Sequence, residues 1–320
     1  MLVAPVALAA CDGSQNVLNP QGPTAEALAQ LSWVLFIGAA VIFVVVMAML
    51  AFAIVRREGR PSALTGNSLV IGGGLVFPIV TLTALLVYGF LIDVGRSGPA
   101  AQDPLRIEVV GYMWWWEVHY PGSEREGFVT ANELHIPTGR TVEISVTSAD
   151  VIHSFWVPTL AGKIDMIPGH VNTIRLRADK PGVVRGQCAE YCGAQHALMA
   201  FHVVVETPEQ YREWVERQRA PADEPPIPFL AKGREAFLEA GCGACHAVRG
   251  TPANGQLGPD LTHVGSRLSI AAGTLDNHVG TLAGWIADAQ EIKPDNRMPS
   301  FDVFDGETLR AISAYLESLK

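Results

Sequence analysis

The chain has 320 residues, of which 49% are hydrophobic, and its formal net charge at pH 7 is −9. This length allows two or three domains, and the acidic balance argues against nucleic acid as a partner, because phosphate backbones bind basic surfaces. The chain has five cysteines. Each has a specific role other than a disulfide bond below, so the count indicates no disulfide framework.

Residues 1–10 are predicted to be a signal segment. They are apolar and end at Leu8-Ala9-Ala10, directly before Cys11, which resembles the lipobox of a bacterial lipoprotein. The resemblance predicts that Cys11 is acylated and becomes the mature N-terminus. The usual positive residues before the apolar stretch are absent, so a simple apolar tail is the alternative.

Two uncharged stretches, 31–55 and 69–92, predict a membrane hairpin within residues 11–95. Each exceeds the roughly 20 residues that a helix needs to cross a bilayer. Arg56, Arg57 and Arg60 lie in the short connection, which the positive-inside rule places in the cytoplasm. Both ends of the chain then lie on the periplasmic side of a bacterial inner membrane.

Residues 104–206 alternate apolar and polar side chains in short runs, with Pro-Gly turn signals at 121–122, 168–169 and 181–182. This pattern predicts an all-β sandwich or barrel. Thr207 and Gln210 then form a capping-box pattern that begins a helix. Four prolines between Ala220 and Pro228 predict a stiff linker at the end of residues 207–227. Residues 228–320 follow a helical pattern, with a last helix that starts at Asp305.

Four closely spaced residues, Cys188, Cys192, His196 and Met199, indicate a metal site that His153 can complete. Two thiolates, two imidazoles and a thioether are soft and borderline ligands, a set that suits copper. A C-x₃-C pair on a tight loop can place both sulfurs on one side, where they can bridge two metal ions. A zinc site is the alternative for the two cysteines, but a thioether is not among the usual zinc ligands.

A second metal motif of a different kind follows in Cys242-Gly243-Ala244-Cys245-His246. A C-x-x-C-H sequence is typical of c-type haem attachment. Cys242 and Cys245 would form thioethers with the haem vinyl groups, and His246 would be an axial ligand to the iron. Two redox centres on one chain imply electron transfer between them.

The sequence from His153 through Met199, after two membrane helices, resembles subunit II of haem–copper cytochrome c oxidases, and the resemblance covers about residues 25–215. It implies a cupredoxin sandwich that holds the dinuclear copper centre CuA. The implied ligands are Cys188 and Cys192 bridging both coppers, His153 and Met199 on one copper, and His196 and the backbone carbonyl of Glu190 on the other. The Glu190 carboxylate would also reach a Mg²⁺ or Mn²⁺ at the junction with subunit I.

Three further positions follow from this resemblance. The aromatic run 111–117 is similar to a family segment in which Trp114 lies near CuA and receives the incoming electron, whereas Trp115 or Trp116 fills the core. Asp165 matches a position near the docking face. Many members have a glutamate before the proline of the second helix, at the mouth of a proton path into subunit I. Ile71 occupies that position here, which puts proton uptake by this route in doubt.

Residues 228–320 resemble a small class I cytochrome c, an all-α fold. His246 would be the proximal ligand and Met298, which precedes a proline, the distal ligand. A His/Met pair raises the haem potential, as suits a donor to copper. The Pro259 carbonyl would orient His246. His263 and His278 are the alternative distal ligands.

These features predict a multidomain membrane protein with a two-helix transmembrane hairpin, an all-β cupredoxin sandwich and an all-α class I cytochrome c. The whole chain resembles subunit II of a caa-type, proton-pumping cytochrome c oxidase. In that enzyme it would relay electrons from a donor through haem c to CuA and on to haem a of subunit I, which reduces O₂ to water. The implied partners are subunit I, subunit III, and cytochrome c or a cytochrome bc complex as donor.

Two alternative functions remain at this point. One is a subunit of a nitric oxide reductase that also uses a CuA domain, because its ligand set would be alike. The other is a periplasmic copper-binding lipoprotein without a catalytic partner. The haem motif and the second membrane helix argue against the lipoprotein.

Overall fold

The computed structural model describes residues 13–55, 67–96, 103–122 and 127–320. The predicted signal segment, Cys11 and the connection with Arg56, Arg57 and Arg60 lie outside these described residues. The chain divides into two compact units. One spans Glu26–Gln102, and the other combines the residues up to Ala25 with Asp103–Lys320. Each unit is described by itself below.

Two apolar helices make up the first unit. Helix α1 (Pro23–Val55) is followed by a second helix composed of α2 (Asn67–Ile71), a π-helical segment (Gly72–Val76) and α3 (Phe77–Arg96). The π-helical segment begins with three consecutive glycines. In a π-helix, hydrogen bonds between residues five apart replace the regular α-helical pattern. The most apolar windows of the two helices have mean hydropathies of 3.0 and 2.4, and their side chains are not buried by protein. Both helices are therefore long and apolar enough to cross a membrane.

Two five-stranded sheets form the sandwich of the second unit. The strands are β1 (Leu105–Tyr112), β2 (Trp115–Tyr120), β3 (Phe128–Ala131), β4 (Glu133–Pro137), β5 (Val142–Ser148), β6 (His153–Trp156), β7 (Ile164–Met166), β8 (Asn172–Leu176), β9 (Gly182–Cys188) and β10 (Ala200–Glu206). One sheet has the order β3-β2-β1-β5-β8 and the other β4-β10-β9-β6-β7. In β5 every second residue is buried, so the alternation in the sequence marks the face that packs inward.

Aromatic side chains fill the centre of the sandwich. Trp116, Phe155 and Phe201 are almost fully buried. The Trp116 ring lies 6.1 Å from that of Phe155 and 4.9 Å from that of Phe201. Helix α4 (Pro208–Arg219) begins with the predicted capping box of Thr207 and Gln210. The aromatic core supports the loops at one end of the sheets, and these loops hold the metal-ligand candidates.

The remaining part is helical, with α5 (Pro228–Glu239), α6 (Val279–Ala287), α7 (Ala289–Ile292) and α8 (Gly306–Ser318) around a short hairpin of β11 (Ser269–Ile270) and β12 (Leu275–Asp276). Helices α5 and α8 pack closely because Gly233 has no side chain. A Cβ atom there would lie 2.1 Å from the Ala311 carbonyl oxygen. Asp305 caps α8 by accepting hydrogen bonds from the first turn. The predicted fold class, with apolar helices, a cupredoxin-like sandwich and a helical cytochrome domain, is confirmed.

Candidate metal and haem sites

The five soft-ligand candidates come together at one end of the sandwich. His153 begins β6, Cys188 ends β9, and the other three lie on the loop that leads into β10. The two sulfurs of Cys188 and Cys192 are 3.7 Å apart. The ring of His153 approaches Cys188 at 3.9 Å, and the ring of His196 approaches Cys192 at 3.6 Å, in both cases through Nδ1. The Met199 sulfur lies 3.8 Å from that of Cys192. Sequence positions as distant as 153 and 199 therefore form one compact donor cluster.

The donor set fits copper rather than a proton-bearing thiol pair. Cys188 and Cys192 are both buried. The hydrogen bond from Cys192 lowers the pKa of Cys188, and the neighbouring Cys188 sulfur raises the pKa of Cys192. Two thiolates this close repel each other, so both ionise together only when a cation lies between them. The cluster is thus suited to binding metal through both sulfurs.

Asp150 sets the orientation of His153, and the sequence patterns did not indicate it. Its carboxylate lies 2.9 Å from Nε2 of His153 and accepts the backbone N–H of Met113 at 2.8 Å. Burial alone would lower the pKa of His153, but the hydrogen bond to Asp150 raises it overall. A proton on Nε2 leaves Nδ1, which faces the sulfurs, free to bind a metal. Gly111 gives the ring space, since a Cβ atom there would lie 2.9 Å from it.

Glu190 has two different surroundings. Its backbone carbonyl lies 3.1 Å from the Cys188 sulfur, inside the cluster. Its carboxylate is 45% exposed and lies 3.6 Å from the Lys163 ammonium. Asp165 is in the neighbouring strand β7, opposite Ser154 of β6. The Glu190 carboxylate therefore lies with Lys163 outside the donor cluster, whereas the Glu190 carbonyl belongs to the cluster.

A cavity of about 540 Å³ lies beside the helical domain and is lined by every residue predicted to bind the haem. Cys242, Cys245, His246 and Met298 all line it. This volume is in the usual range for cofactor sites. Among the described residues, two buried polar atoms of the lining, Arg267 Nε and Ser269 Oγ, have no hydrogen-bond partner. A haem carries two carboxylate groups that could accept from them, so the cavity fits this cofactor.

His246 is held for axial ligation. Its Nδ1 lies 2.8 Å from the Pro259 carbonyl oxygen, the contact that the sequence predicted. Burial lowers the pKa of His246, which favours the neutral ring that binds iron. Gly258 allows the approach, because a Cβ atom there would lie 2.6 Å from the ring.

The alternative distal ligands lie elsewhere. His263 uses both ring nitrogens in contacts with backbone carbonyls, those of Lys320 at 2.6 Å and Ala220 at 3.0 Å. His278 caps helix α6 through Nδ1, which accepts from the first turn. Neither residue lines the cavity, whereas Met298 does. The structure therefore brings Met298, and not the two histidines, to the cavity that His246 lines.

The sandwich domain also forms part of this cavity wall. Tyr112, Trp114 and Trp115 line it from the cupredoxin side. Tyr112 and Trp115 stack with ring centroids 4.6 Å apart. The Trp114 indole is buried, and its N–H donates to the Cys192 carbonyl at 2.9 Å. Of the two tryptophans predicted as core candidates, Trp116 lies in the core and Trp115 lies on the cavity.

Contacts between the two domains surround this shared wall. Gln195 donates to the Pro294 carbonyl at 2.8 Å, Arg185 to that of Gly273 at 3.1 Å. The most enclosed contact is that of Lys293, whose ammonium is surrounded by backbone carbonyls from both domains. Burial lowers the pKa of Lys293 to about 8. No sequence motif marked these residues, because each contact joins positions far apart in the chain.

Comparison with known proteins identifies the family to which the chain belongs. A family model described as cytochrome c oxidase subunit II, periplasmic domain, matches residues 121–207, and one described as cytochrome c matches residues 230–320. Cytochrome c oxidase subunit 2 of Alkalihalophilus pseudofirmus is 35% identical over 326 residues, which cover 98% of this chain and 94% of that protein. The chain belongs to the cytochrome c oxidase subunit 2 family. The Bacillus subtilis member is 31% identical over 77% of this chain and 70% of its own length.

A solved structure is also similar in part. The periplasmic domain of subunit II of cytochrome oxidase from Bradyrhizobium japonicum is 33% identical, covers 38% of this chain and 96% of its own, and has a TM-score of 0.35. The predicted recognition as a subunit II with a fused cytochrome c domain is confirmed by the family matches. Membership makes the chain part of a haem–copper oxidase, an oxidoreductase complex with subunit I as partner. Its two domains imply CuA copper and haem c, and its apolar helices fit a membrane-anchored subunit.

Proposed function

We propose that this subunit carries electrons from a donor docked at its cytochrome domain to its copper-binding loop and on to haem a of subunit I, in a proton-pumping oxidase that reduces O₂ to water. One observation carries the proposal, namely that Trp114 belongs to both sites. The residue lines the haem cavity, and its indole N–H donates to the Cys192 carbonyl across 2.9 Å. A single residue thereby connects the cavity wall with the donor cluster.

The proposed ligands are the residues that the two sites bring together. Cys242 and Cys245 would form the haem thioethers, and His246 and Met298 the axial ligands. In the other site the proposed CuA ligands are His153, Cys188, the carbonyl of Glu190, Cys192, His196 and Met199. Bound there, the haem iron and the copper pair would each supply one-electron redox chemistry.

The protein's own contribution is to fix the positions of these ligands and to exclude water from them. The side chains of His153, Cys188, Cys192 and Met199 are all at most 4% exposed. Asp150 holds His153, and the Cys192 carbonyl is held by Trp114. A preorganised site rearranges little when its charge changes. Such a site favours fast electron transfer because little motion has to accompany it.

Further parts of the proposal concern surroundings that the described residues only partly include. The Glu190 carboxylate, exposed and near Lys163, would bind Mg²⁺ or Mn²⁺ together with subunit I. We also propose that both termini are periplasmic, that Cys11 carries a lipid, and that subunit III belongs to the complex. The donor would be cytochrome c or a cytochrome bc complex. The proposed domains are 11–95, 104–206 and 228–320, after a signal at 1–10 and with a linker at 207–227.

The test uses the full chain in detergent, matured with haem and loaded with copper. We expect an electron paramagnetic resonance (EPR) spectrum with copper hyperfine splitting from one electron shared over two coppers, together with a low-spin haem. After rapid photoreduction of the haem, Trp114→Phe should slow the reduction of copper at least about tenfold, since the indole contact with the copper loop is lost. Trp115→Phe is the matched control, because Trp115 lines the same cavity but its ring stacks on Tyr112.

Two results would contradict the proposal. A single-copper spectrum, or no copper signal beside an intact haem, would remove the CuA site. Equal rates in Trp114→Phe and the parent chain, with both spectra intact, would exclude Trp114 as the connection. A complex that contains haem a with this subunit supports the oxidase over the nitric oxide reductase alternative.

A further inference from the structure

Lys293 is a buried cation at the boundary between the copper-binding and cytochrome domains. It directly follows helix α7, and its residue is only 2% exposed. The ammonium donates to the carbonyls of Leu198 at 2.9 Å, Trp114 at 3.1 Å and Ala271 at 3.2 Å. An ammonium has three N–H donors, and all three are used here. The side chain is therefore held at one point by backbone from two domains.

The charge of Lys293 is not neutralised by an acid. Among the residues that the structure describes, none supplies a carboxylate to this ammonium. The group that interacts with its charge is the Cys192 thiol. Burial of an unpaired charge is costly, and proteins seldom keep one without a use. The three carbonyls orient the cation but leave its unit charge in place.

Most contacts of this cation are with the copper-binding domain. Leu198 is between His196 and Met199, and Trp114 holds the Cys192 carbonyl through its indole. Lys293 also lines the haem cavity. Two of its three hydrogen bonds nevertheless go to the copper-binding domain. A positive charge in a low-dielectric region favours any nearby group that gains an electron, and most strongly the nearest one.

We infer that Lys293 is a positioning residue whose fixed charge raises the reduction potential of the copper site relative to the haem, while its hydrogen bonds hold Trp114 against the copper loop. This inference rests on the proposed function. One electron that arrives at the copper pair lowers the charge there by one. The ammonium stabilises that reduced state and so favours electron transfer from haem to copper.

The experiment measures both midpoint potentials by spectroelectrochemical titration of the full chain with haem and copper bound. In Lys293→Met, which keeps the length of the side chain and removes its charge, we expect the equilibrium constant for electron transfer from haem to copper to fall by about tenfold. That corresponds to about 59 mV for a one-electron couple. Lys293→Gln, which keeps two N–H donors without the charge, should give a shift in the same direction.

Two controls separate charge from packing. Thr274→Val removes an uncharged contact between the domains, since Thr274 Oγ1 lies 3.5 Å from the same Leu198 carbonyl. Lys232→Met removes a lysine charge at an exposed site, where the ammonium pairs with Glu307 at 2.6 Å. Both variants should leave the equilibrium constant for electron transfer from haem to copper within about twofold of the parent chain. Thr274 carries no charge, and the charge of Lys232 is at the surface, where it is strongly screened.

The possible results decide the inference. Shifts in both Lys293 variants, without shifts in the controls, support it. Intact copper and haem spectra with unchanged relative potentials in either neutral variant overturn it, as does an equal shift in Thr274→Val. Absence of the dinuclear copper signal from the parent chain would refute the proposed function itself, and is therefore distinguishable from failure of this inference.

Discussion

Replacing Asp150 by asparagine tests whether this carboxylate prepares His153 to bind copper. One carboxylate oxygen lies 2.9 Å from His153 Nε2, and the other accepts the Met113 N–H at 2.8 Å. Asparagine has one acceptor oxygen where aspartate has two. Its NH₂ group must therefore face one of these two donors, and that hydrogen bond is lost.

The size of the effect follows from the kind of bond that is lost. A hydrogen bond to a charged group contributes about 1.5–3 kcal/mol, and about 1.4 kcal/mol corresponds to tenfold in an equilibrium constant. We expect Asp150→Asn to weaken copper binding by about 10- to 100-fold, the range typical of partners that orient metal ligands. The ligands themselves remain in place, so a dinuclear spectrum should still form at high copper concentration.

The assay is competition for copper between the full chain and a chelator of known affinity, followed through the optical bands of the copper centre. Asp179→Asn is the control, because Asp179 makes an exposed ion pair with Arg177 at 3.0 Å and should bind copper as the parent chain does. A copper affinity within about twofold of the parent chain in Asp150→Asn would refute the reasoning on orientation.

Three further predictions concern the haem site, helix packing and pH. Gly258→Ala should abolish the low-spin haem spectrum or convert it to high spin, since the new Cβ would lie 2.6 Å from the His246 ring. Gly233→Ala should destabilise the cytochrome domain by about 2 kcal/mol or more, seen as a lower thermal midpoint, because the Ala311 carbonyl would be 2.1 Å away. His135 contacts two glutamates at 2.8 and 3.1 Å, and although its burial lowers the pKa, these hydrogen bonds raise it overall. The stabilisation of the folded state by the protonated His135 ring should be complete below pH about 6.5, the usual pKa of histidine in an unfolded chain. It should decrease as pH rises through the folded-state pKa of His135. The destabilisation caused by His135→Gln, about 3 kcal/mol at pH 6, should therefore shrink at alkaline pH.

Controls for these three predictions are available in the same chain. Gly284 lies in helix α6 with no atom within 4 Å of a Cβ position, so Gly284→Ala should leave the haem spectrum unchanged and raise the thermal midpoint slightly. A normal haem spectrum in Gly258→Ala, or an unchanged midpoint in Gly233→Ala, would contradict the packing argument. A cost of His135→Gln that stays constant from pH 6 to pH 10 would show that the charge of the ring is unimportant.

The proline-rich stretch between the two domains acts differently from a free tether. Ala222 donates its N–H to the Arg249 carbonyl at 2.9 Å, and His263 contacts the Ala220 carbonyl at 3.0 Å. The stretch is thus fixed on the cytochrome domain. A linker alone raises the local concentration of a partner, whereas these contacts also fix its orientation. The described contacts therefore hold this stretch in one arrangement on the cytochrome domain.

Much of this protein could be predicted from its sequence because the relevant signals are local. The C-x-x-C-H motif and the spacing of Cys188, Cys192, His196 and Met199 lie within short segments, where the chain itself keeps the groups close. Uncharged stretches long enough to span a bilayer and period-two alternation likewise depend only on neighbouring positions. These signals were sufficient to predict the fold class and the two kinds of redox site.

Only the tertiary structure decides which distant groups complete those sites. Trp114 is 78 positions from Cys192, and Lys293 is 179 from Trp114. No periodicity or motif links such positions, because their contacts arise when whole sheets and domains pack. The side of the sandwich that Trp115 faces is also set by this packing. The sequence therefore determined which residues are the ligand candidates, and the packing of the two domains decided how they are oriented, enclosed and connected.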